Sequence, residues 1–216
     1  MRRLLHGIRA FQDDVFPARR RHFEELAAGQ SPATLFITCS DSRIVPHLLT
    51  QTEPGELFVL RNAGNLVPPY STEQSGEAAT IEYAAQVLKV KDIVVCGHSH
   101  CGAITGVLRP ESIDGLPAVE KWLAHAQTIR QEIFEQAASA AGDDDLLTAA
   151  IKANVLVQLN HLRTYPAISA AESCGAITLH GCFYRFETGE VNVFDSAAGT
   201  FLPVHEHSAL HEPSPV

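Results

Sequence analysis

The sequence predicts an α/β fold in which helices flank a mainly parallel central β-sheet. Three short apolar runs are typical of strands that are buried on both faces, at residues 33–38, 56–60 and 92–96. Segments with helical periodicity separate the runs, and alternating strands and helices favour parallel pairing. Two later strand-like runs around the turn Thr188-Gly189 predict a C-terminal β-hairpin over residues 176–194.

Helical periodicity also precedes the first strand. Apolar residues recur with helical spacing over residues 4–28. Pro17 is expected at an early position of a second helix, so that two helices form an N-terminal arm. Further helices are predicted at residues 76–88, 102–108, 117–139 and 143–165. We therefore divide the chain into an N-terminal helical arm (1–30), an α/β domain that carries the candidate site (31–202) and a flexible tail (203–216).

Composition limits the classes of function. The 216 residues are 45% hydrophobic and 19% charged, as in globular proteins. A net charge of −9 disfavours a nucleic-acid partner, because phosphates would be repelled. We expect no secretory leader, because charged residues interrupt the apolar positions near the start, and no membrane span, because no apolar run approaches about 18 residues. Five widely spaced cysteines do not suggest a disulfide framework, so we expect a reducing, cytoplasmic compartment.

Metal-ligand side chains follow two of the predicted strands. Cys39 comes directly after the first strand, and His98 and Cys101 come after the third. In open α/β sheets sites form at the carboxyl ends of strands, so neighbouring first and third strands would bring these side chains together. Two thiolates and one imidazole favour Zn²⁺, and three protein ligands leave one position open, as in catalytic zinc sites.

Two charged residues follow Cys39. Zinc with two thiolates is formally neutral, so a bound water should be less acidic than at a site of three histidines. Forming hydroxide at such a site needs alkaline conditions or protein side chains that help to hold the hydroxide. Asp41 can reach the open position and accept a hydrogen bond from the water, and Arg43 can hold Asp41 in a two-point ion pair, ionised and off the metal. If Asp41 moved onto the metal instead, it would close the site.

The segment after His98 predicts a helix that begins next to Cys101. The partial positive charge of a helix N-terminus favours the Cys101 thiolate. The backbone N–H of Gly102 would be available there to bind an oxyanion.

Four motifs resemble the β-class carbonic anhydrases: C-S-D-S-R at 39–43, P-G-E-L-F-V-L-R-N-A-G-N at 54–65, G-H-S-H-C-G at 97–102 and L-H-G-C-F-Y at 179–184. The likeness covers nearly the whole chain. It is greatest to bacterial members, including those associated with cyanate metabolism and with cyanobacterial carboxysomes, so carboxysome association is one expectation for localisation.

This resemblance implies reversible hydration of carbon dioxide to bicarbonate and a proton by a zinc-bound hydroxide. It implies Cys39, His98 and Cys101 as the zinc ligands, and Asp41 with Arg43 as the catalytic dyad.

The resemblance also implies a substrate pocket that is partly built across a dimer interface. Its residues are Gln30, Phe58, Ala63, Tyr83 and Gly102. We therefore expect a homodimer or homotetramer, to which the N-terminal arm contributes.

One subclass of the family has an allosteric bicarbonate site, at which a tryptophan, an arginine and a tyrosine meet. Arg61 and Tyr184 match two of these positions, but the tryptophan position, three residues before Cys39, holds Phe36. Phenylalanine lacks the indole N–H donor. We therefore expect the open, non-allosteric subclass.

Two alternative functions remain at this point. One is hydrolysis of carbonyl sulfide or carbon disulfide on the same scaffold, and the other is a non-catalytic scaffold module stabilised by zinc. The dyad argues against the second, because a structural site would be closed by a fourth cysteine or histidine. His100 is expected to face solvent or to support a ligand, and Cys96, Cys174 and Cys182 are expected to act as small apolar residues.

Overall fold

A six-stranded sheet forms the centre of the protein. A computed structural model describes residues 1–71, 75–126 and 143–206. The strands are β1 (Thr34–Cys39), β2 (Leu57–Asn62), β3 (Asp92–His98), β4 (Thr178–Tyr184), β5 (Val191–Asp195) and β6 (Thr200–Pro203). Their order in the sheet is β2-β1-β3-β4-β5-β6. The pairs β2–β1, β1–β3 and β3–β4 are parallel, and the pairs β4–β5 and β5–β6 are antiparallel. The predicted fold class is confirmed.

β1 and β3 are neighbours, as the candidate metal site requires. The register pairs Thr38 with both Arg61 of β2 and Cys96 of β3. From β1 the chain passes to β2 on one side and then to β3 on the other, so the strand order reverses between β1 and β3. A crevice outside the carboxyl ends of these two strands is the usual place for a site in such sheets.

The C-terminal sheet edge differs from the prediction. The hairpin of β4 and β5 is present, and its turn is closed by a hydrogen bond of 2.9 Å from the Gly189 N–H to the Arg185 carbonyl. The prediction did not include β6, which pairs with β5 up to Pro203. An edge strand tolerates a proline because one side of it needs no backbone donor. Residues 207–216 of the predicted tail lie outside the described residues.

Helices cover the sheet and form the N-terminal arm. They are α1 (Arg2–Ala10), α2 (Phe16–Ala18), α3 (Arg20–Ala27), α4 (Pro46–Thr50), α5 (Gly76–Glu82), α6 (Gly102–Leu108), α7 (Pro117–Leu123), α8 (Asp143–Arg163) and α9 (Pro166–Ser173). Wider π-helical turns follow α1 (Phe11–Val15) and α5 (Tyr83–Leu88).

The helix predictions differ from the structure in their details. Pro17 lies in the first turn of α2, as predicted, but the break in the helical geometry of the arm comes at Arg19 (φ −120°, ψ 17°). The helix predicted for residues 76–88 has these bounds, with α-helical geometry to Glu82 and π-helical geometry from Tyr83 to Leu88. Of the helix predicted for 117–139, α7 and one 3₁₀ turn cover residues 117–126, and residues 127–142 lie outside the described residues.

α8 packs closely against β3 and β4 because each strand has a glycine at the position that faces the helix. A Cβ on Gly97 would lie 2.8 Å from Ile151 Cγ2, and one on Gly181 would lie 2.9 Å from Val155 Cγ1. Ile151 and Val155 are buried. Since Gly97 immediately precedes His98, this close packing fixes the tip of β3 that carries the candidate ligands.

The N-terminal arm has an uncovered apolar surface. No residue of α1, α2 or α3 is buried, and Leu4 and Ile8 are 66% and 56% exposed. The arm meets the rest of its own chain through polar contacts such as His22 Nε2 to the Pro54 carbonyl, 3.1 Å. This surface suits a contact between subunits. Among the described residues, no helix is both long and apolar enough to cross a membrane.

Candidate metal centre

Cys39, His98 and Cys101 meet at the carboxyl ends of β1 and β3. All three are buried, and their ligand atoms lie within 4.8 Å of one another. The two sulfur atoms are 4.0 Å apart. Two thiolates held about 2.3 Å from a tetrahedral zinc are separated by about 3.8 Å, so the spacing matches the geometry that zinc requires.

The orientation of His98 fits a metal ligand. Its Nδ1 lies 2.8 Å from the carbonyl oxygen of Ser99, to which it can only donate, so Nε2 carries the lone pair. Nε2 is buried and has no hydrogen-bond partner among the described residues. A buried polar atom without a partner is costly, and a metal ion would satisfy it. The residues therefore fit a bound zinc ion.

The two thiols titrate as a pair in the absence of metal. Hydrogen bonds from the Cys101 S–H and the Gly64 N–H lower the pKa of Cys39 against the opposing effect of burial. The hydrogen bond to Cys39 and burial raise the pKa of Cys101. Cys101 is the N-cap residue of α6 and so lies at a helix N-terminus, as predicted, and backbone N–H groups of this helix act to lower its pKa. The effect of these N–H groups is smaller than that of burial and of the hydrogen bond to Cys39, so the helix alone does not make Cys101 a thiolate.

Asp41 and Arg43 form a two-point ion pair beside the cluster. Arg43 Nε lies 2.9 Å from Oδ1 and Nη2 lies 2.7 Å from Oδ2, and the Arg43 backbone N–H also donates to Oδ1 at 2.9 Å. These hydrogen bonds hold the pKa of Asp41 well below its usual range. Asp41 Oδ2 is 4.0 Å from His98 Nε2, so the carboxylate lies next to the ligand atom of His98.

Arg43 is itself held in place from two directions. Its Nη2 donates to the carbonyl oxygen of His100 at 3.1 Å, and its guanidinium lies 4.6 Å from the centroid of the Phe186 ring. The same ring is 4.9 Å from the His98 ring. Phe186 therefore contacts both a candidate ligand and the dyad, a role that the sequence did not suggest.

Residues 98–101, which contain two candidate ligands and are called the ligand loop here, are hydrogen-bonded to the β4–β5 turn. His100, in the left-handed region at φ 54°, is hydrogen-bonded through Nε2 to Glu187 Oε1. The Ser99 hydroxyl donates to Glu187 Oε2 at 2.8 Å and accepts from the Phe186 N–H at 2.9 Å. Hydrogen bonds from its own N–H and from Ser99 and His100 lower the pKa of Glu187 to about 2. His100 thus supports the ligand loop, in agreement with one of its two expected roles. The sequence did not suggest a role for Ser99 or Glu187. These two residues meet because β3 and β4 pair in parallel and end at the same edge of the sheet.

Arg61 holds the turn that carries Cys39 and Asp41. Its Nε and Nη2 donate to the carbonyl oxygen of Cys39 at 3.0 and 2.9 Å, and Nη2 also donates to the carbonyls of Asp41 (2.7 Å) and Ile44 (3.0 Å). Tyr184 pairs with His98 in the sheet, and its ring lies 5.2 Å from that of Phe186. Strands β1 and β3 separate the backbones of Arg61 and Tyr184.

The five predicted pocket residues do not all meet in one chain. Ala63 and Gly102 adjoin the cluster, because Gly64 donates to Cys39 Sγ and Gly102 follows Cys101. Phe58 pairs with Leu35, four residues before Cys39, which places its backbone about 13 Å from that end of the strand. The Tyr83 ring lies 6.0 Å from the Phe58 ring, and Gln30 is exposed between α3 and β1.

These features define a class: α/β proteins with a buried Cys-His-Cys centre where the strand order of a parallel sheet reverses. Residues 34–191 match the family described as carbonic anhydrase. A carbonic anhydrase of Pseudomonas aeruginosa is 47% identical over 209 residues, covering 96% of this chain and 93% of the relative. One from Synechocystis is 44% identical over 99% of this chain and 78% of the relative.

Solved structures agree with the sequence match. The β-carbonic anhydrase CcaA superposes with a TM-score of 0.90 at 45% identity, covering 94% of this chain and 91% of the other. A tetrameric β-carbonic anhydrase of Sordaria macrospora gives 0.74 at 31% identity, covering 93% and 94%. The chain belongs to the carbonic anhydrase family and, within it, to the β class of these enzymes.

Proposed function

We propose that the protein catalyses reversible hydration of carbon dioxide to bicarbonate and a proton, with zinc held by Cys39, His98 and Cys101. The observation that carries the proposal is the buried Nε2 of His98, which lies beside two thiol sulfurs and has no hydrogen-bond partner in the described part of the chain. When bound there, zinc would lower the pKa of a water molecule and so supply the nucleophile at moderate pH.

Asp41 orients the attacking water. Its carboxylate lies next to the ligand atom of His98 and stays ionised, since Arg43 lowers its pKa, so it accepts a hydrogen bond from the water and aims a lone pair at the carbon of carbon dioxide. Arg43 donates hydrogen bonds to both carboxylate oxygens of Asp41 and so restrains Asp41 from moving onto the metal. This arrangement supports the open form of the enzyme.

The backbone N–H of Gly102 is the candidate donor to the oxygen that becomes negatively charged as bicarbonate forms. Gly102 is the first residue of α6, so its N–H is not paired within the helix, and the space around its α-carbon is open. Ala63 lies on the loop across the cluster and would limit the size of the substrate.

The remaining pocket residues, Gln30, Phe58 and Tyr83, act across a subunit interface in this proposal. Within one chain they lie away from the cluster, and Tyr83 is 43% exposed. The uncovered arm supports a homodimer or homotetramer, and the Sordaria macrospora relatives are described as tetrameric.

Arg61 and Tyr184 remain the candidates for regulatory bicarbonate binding, and two observations weigh against such regulation. Arg61 already donates to three carbonyl oxygens, which a bicarbonate would have to displace. Phe36 is 3% exposed and packs with Ile44 and Cys96, where it offers no hydrogen bond.

A comparison of substrates tests the proposal. Zinc-loaded protein and protein stripped with a chelator are assayed in parallel with carbon dioxide, carbonyl sulfide and carbon disulfide. We expect zinc-dependent turnover that is fastest with carbon dioxide. Preference for a sulfur substrate would replace the proposed activity with hydrolysis, and no turnover of any of the three would favour a zinc-stabilised scaffold.

A further inference from the structure

Trp122, the single tryptophan of the chain, is hydrogen-bonded to the loop beside the metal centre. It lies in α7, and its indole Nε1–H donates to the carbonyl oxygen of Ala63 at 2.8 Å. This bond joins α7 to the loop that follows β2. Neither the sequence patterns nor the proposed mechanism gave Trp122 a role.

The peptide group that accepts this bond also faces Cys39. The amide between Ala63 and Gly64 is planar and trans, so its C=O and its N–H point in opposite directions. The Gly64 N–H donates to Cys39 Sγ at 3.3 Å. The indole N–H, the amide and the sulfur therefore form two consecutive hydrogen bonds through one peptide group. A donor at the carbonyl oxygen polarises the amide and strengthens the bond that its N–H makes.

The Gly64 backbone is confined on its other sides. Its φ of +83° lies in the left-handed region, and a Cβ would lie 3.0 Å from the Ala103 Cβ, so another residue would be strained there. The Gly64 carbonyl accepts from Asn154 Nδ2 at 2.9 Å, and the buried Asn154 in turn accepts from Gln158 Nε2 at 2.8 Å. The loop therefore cannot easily reorient the N–H that reaches Cys39.

We propose that Trp122 is a positioning residue that tunes the Cys39 thiolate through the Ala63–Gly64 peptide. The inference rests on the proposed role of Cys39 as a metal ligand. A thiolate that accepts a well-polarised N–H has its negative charge stabilised, and it donates less electron density to a bound metal. Trp122 thus sets the strength of one metal–sulfur bond without contacting the substrate.

Cobalt substitution provides a direct readout of that bond. The full-length protein is loaded with Co²⁺, and the thiolate-to-cobalt charge-transfer band is recorded for wild type and for Trp122→Phe, which removes the N–H but keeps an aromatic ring. We expect the band of Trp122→Phe at longer wavelength, because the sulfur becomes more electron-rich. Since Trp122 is the single tryptophan, 5-fluorotryptophan labels it alone; its more acidic N–H should move the band to shorter wavelength.

Val119→Ala is the matched packing control, because Val119 is partly buried on the same helix. We expect it to lower stability and leave the band in place. An unchanged band in Trp122→Phe, or an equal shift in Val119→Ala, would overturn the inference while leaving the metal site intact. A wild-type protein that binds Co²⁺ without any thiolate band would overturn the metal site and the inference together.

Discussion

The guanidinium of Arg43 holds both carboxylate oxygens of Asp41, at 2.9 Å from Oδ1 and 2.7 Å from Oδ2. The same guanidinium is fixed by the His100 carbonyl and by the face of Phe186. Arg43 therefore connects the tip of β1, the ligand loop after β3 and the β4–β5 turn. In the proposed mechanism, the geometry of Arg43 decides whether Asp41 faces a water molecule or the metal.

Arg43→Lys should lower the catalytic rate while zinc stays bound. A lysine ammonium keeps the charge but lacks the planar pair of donors, so it cannot hold both oxygens of Asp41. We expect kcat to fall by roughly 10- to 100-fold, as for other residues that support a metal site. Stopped-flow hydration rates, with zinc content measured on the same samples, provide the check. Full activity in Arg43→Lys would contradict a two-point restraint.

Cys101→Ala should abolish stoichiometric zinc binding, because only Cys39 and His98 remain as ligands. Cys182→Ala is the matched control, since Cys182 is a thiol in β4 that lies outside the cluster and should not affect metal content. Elemental analysis of the purified variants measures both. A full equivalent of zinc in Cys101→Ala would show that the ligand assignment is wrong.

Gly97→Ala should destabilise the fold. The added methyl group would lie 2.8 Å from Ile151 Cγ2 and 3.0 Å from Val155 Cγ2, so α8 must move away from β3. Overpacking of this kind costs about 1–3 kcal/mol, which urea unfolding at a fixed protein concentration can detect. Gly76→Ala, in open space at the start of α5, should leave the unfolding midpoint unchanged or slightly higher. Equal midpoints for the two variants would argue against close packing at Gly97.

Replacing Leu4 and Ile8 of the arm with serine should weaken subunit association. Both side chains are more than half exposed in the single chain, and burying each at an interface would contribute about 1.5–3 kcal/mol. The dissociation constant should rise by at least about 100-fold, measured by light scattering over a dilution series. Arg2→Gln with Arg3→Gln is the control. An unchanged oligomer in the serine variant would place the interface elsewhere.

The sequence predicted the sheet and the metal cluster because both depend on local patterns. The apolar runs of β1 and β3 predict buried strands, and the ligands follow these strands directly. β6 was missed because four residues ending in Pro203 give a weak strand signal. The break in the arm lies at Arg19 and not at Pro17, since a proline in the first turn of a helix does not end that helix.

The supporting contacts could not be predicted, because they join residues that are distant in the chain. The bond between Trp122 and Ala63 spans 59 positions, and Ser99 meets Glu187 across 88. Neither pair has a motif of its own. Arg61 was interpreted through family likeness alone, and its contacts with three carbonyls become visible only when the turn after β1 is folded.

Stopped-flow hydration of carbon dioxide by the zinc-loaded protein, from about pH 6.5 to about pH 9, tests the central claim most directly. Wild type should be active and its rate should rise with pH, because the nucleophile is the deprotonated form of water. Asp41→Asn should keep its zinc and lose most of this activity, since its amide is a weaker acceptor that does not pair with Arg43. Absence of hydration by zinc-loaded wild type at every pH in this range would contradict the account.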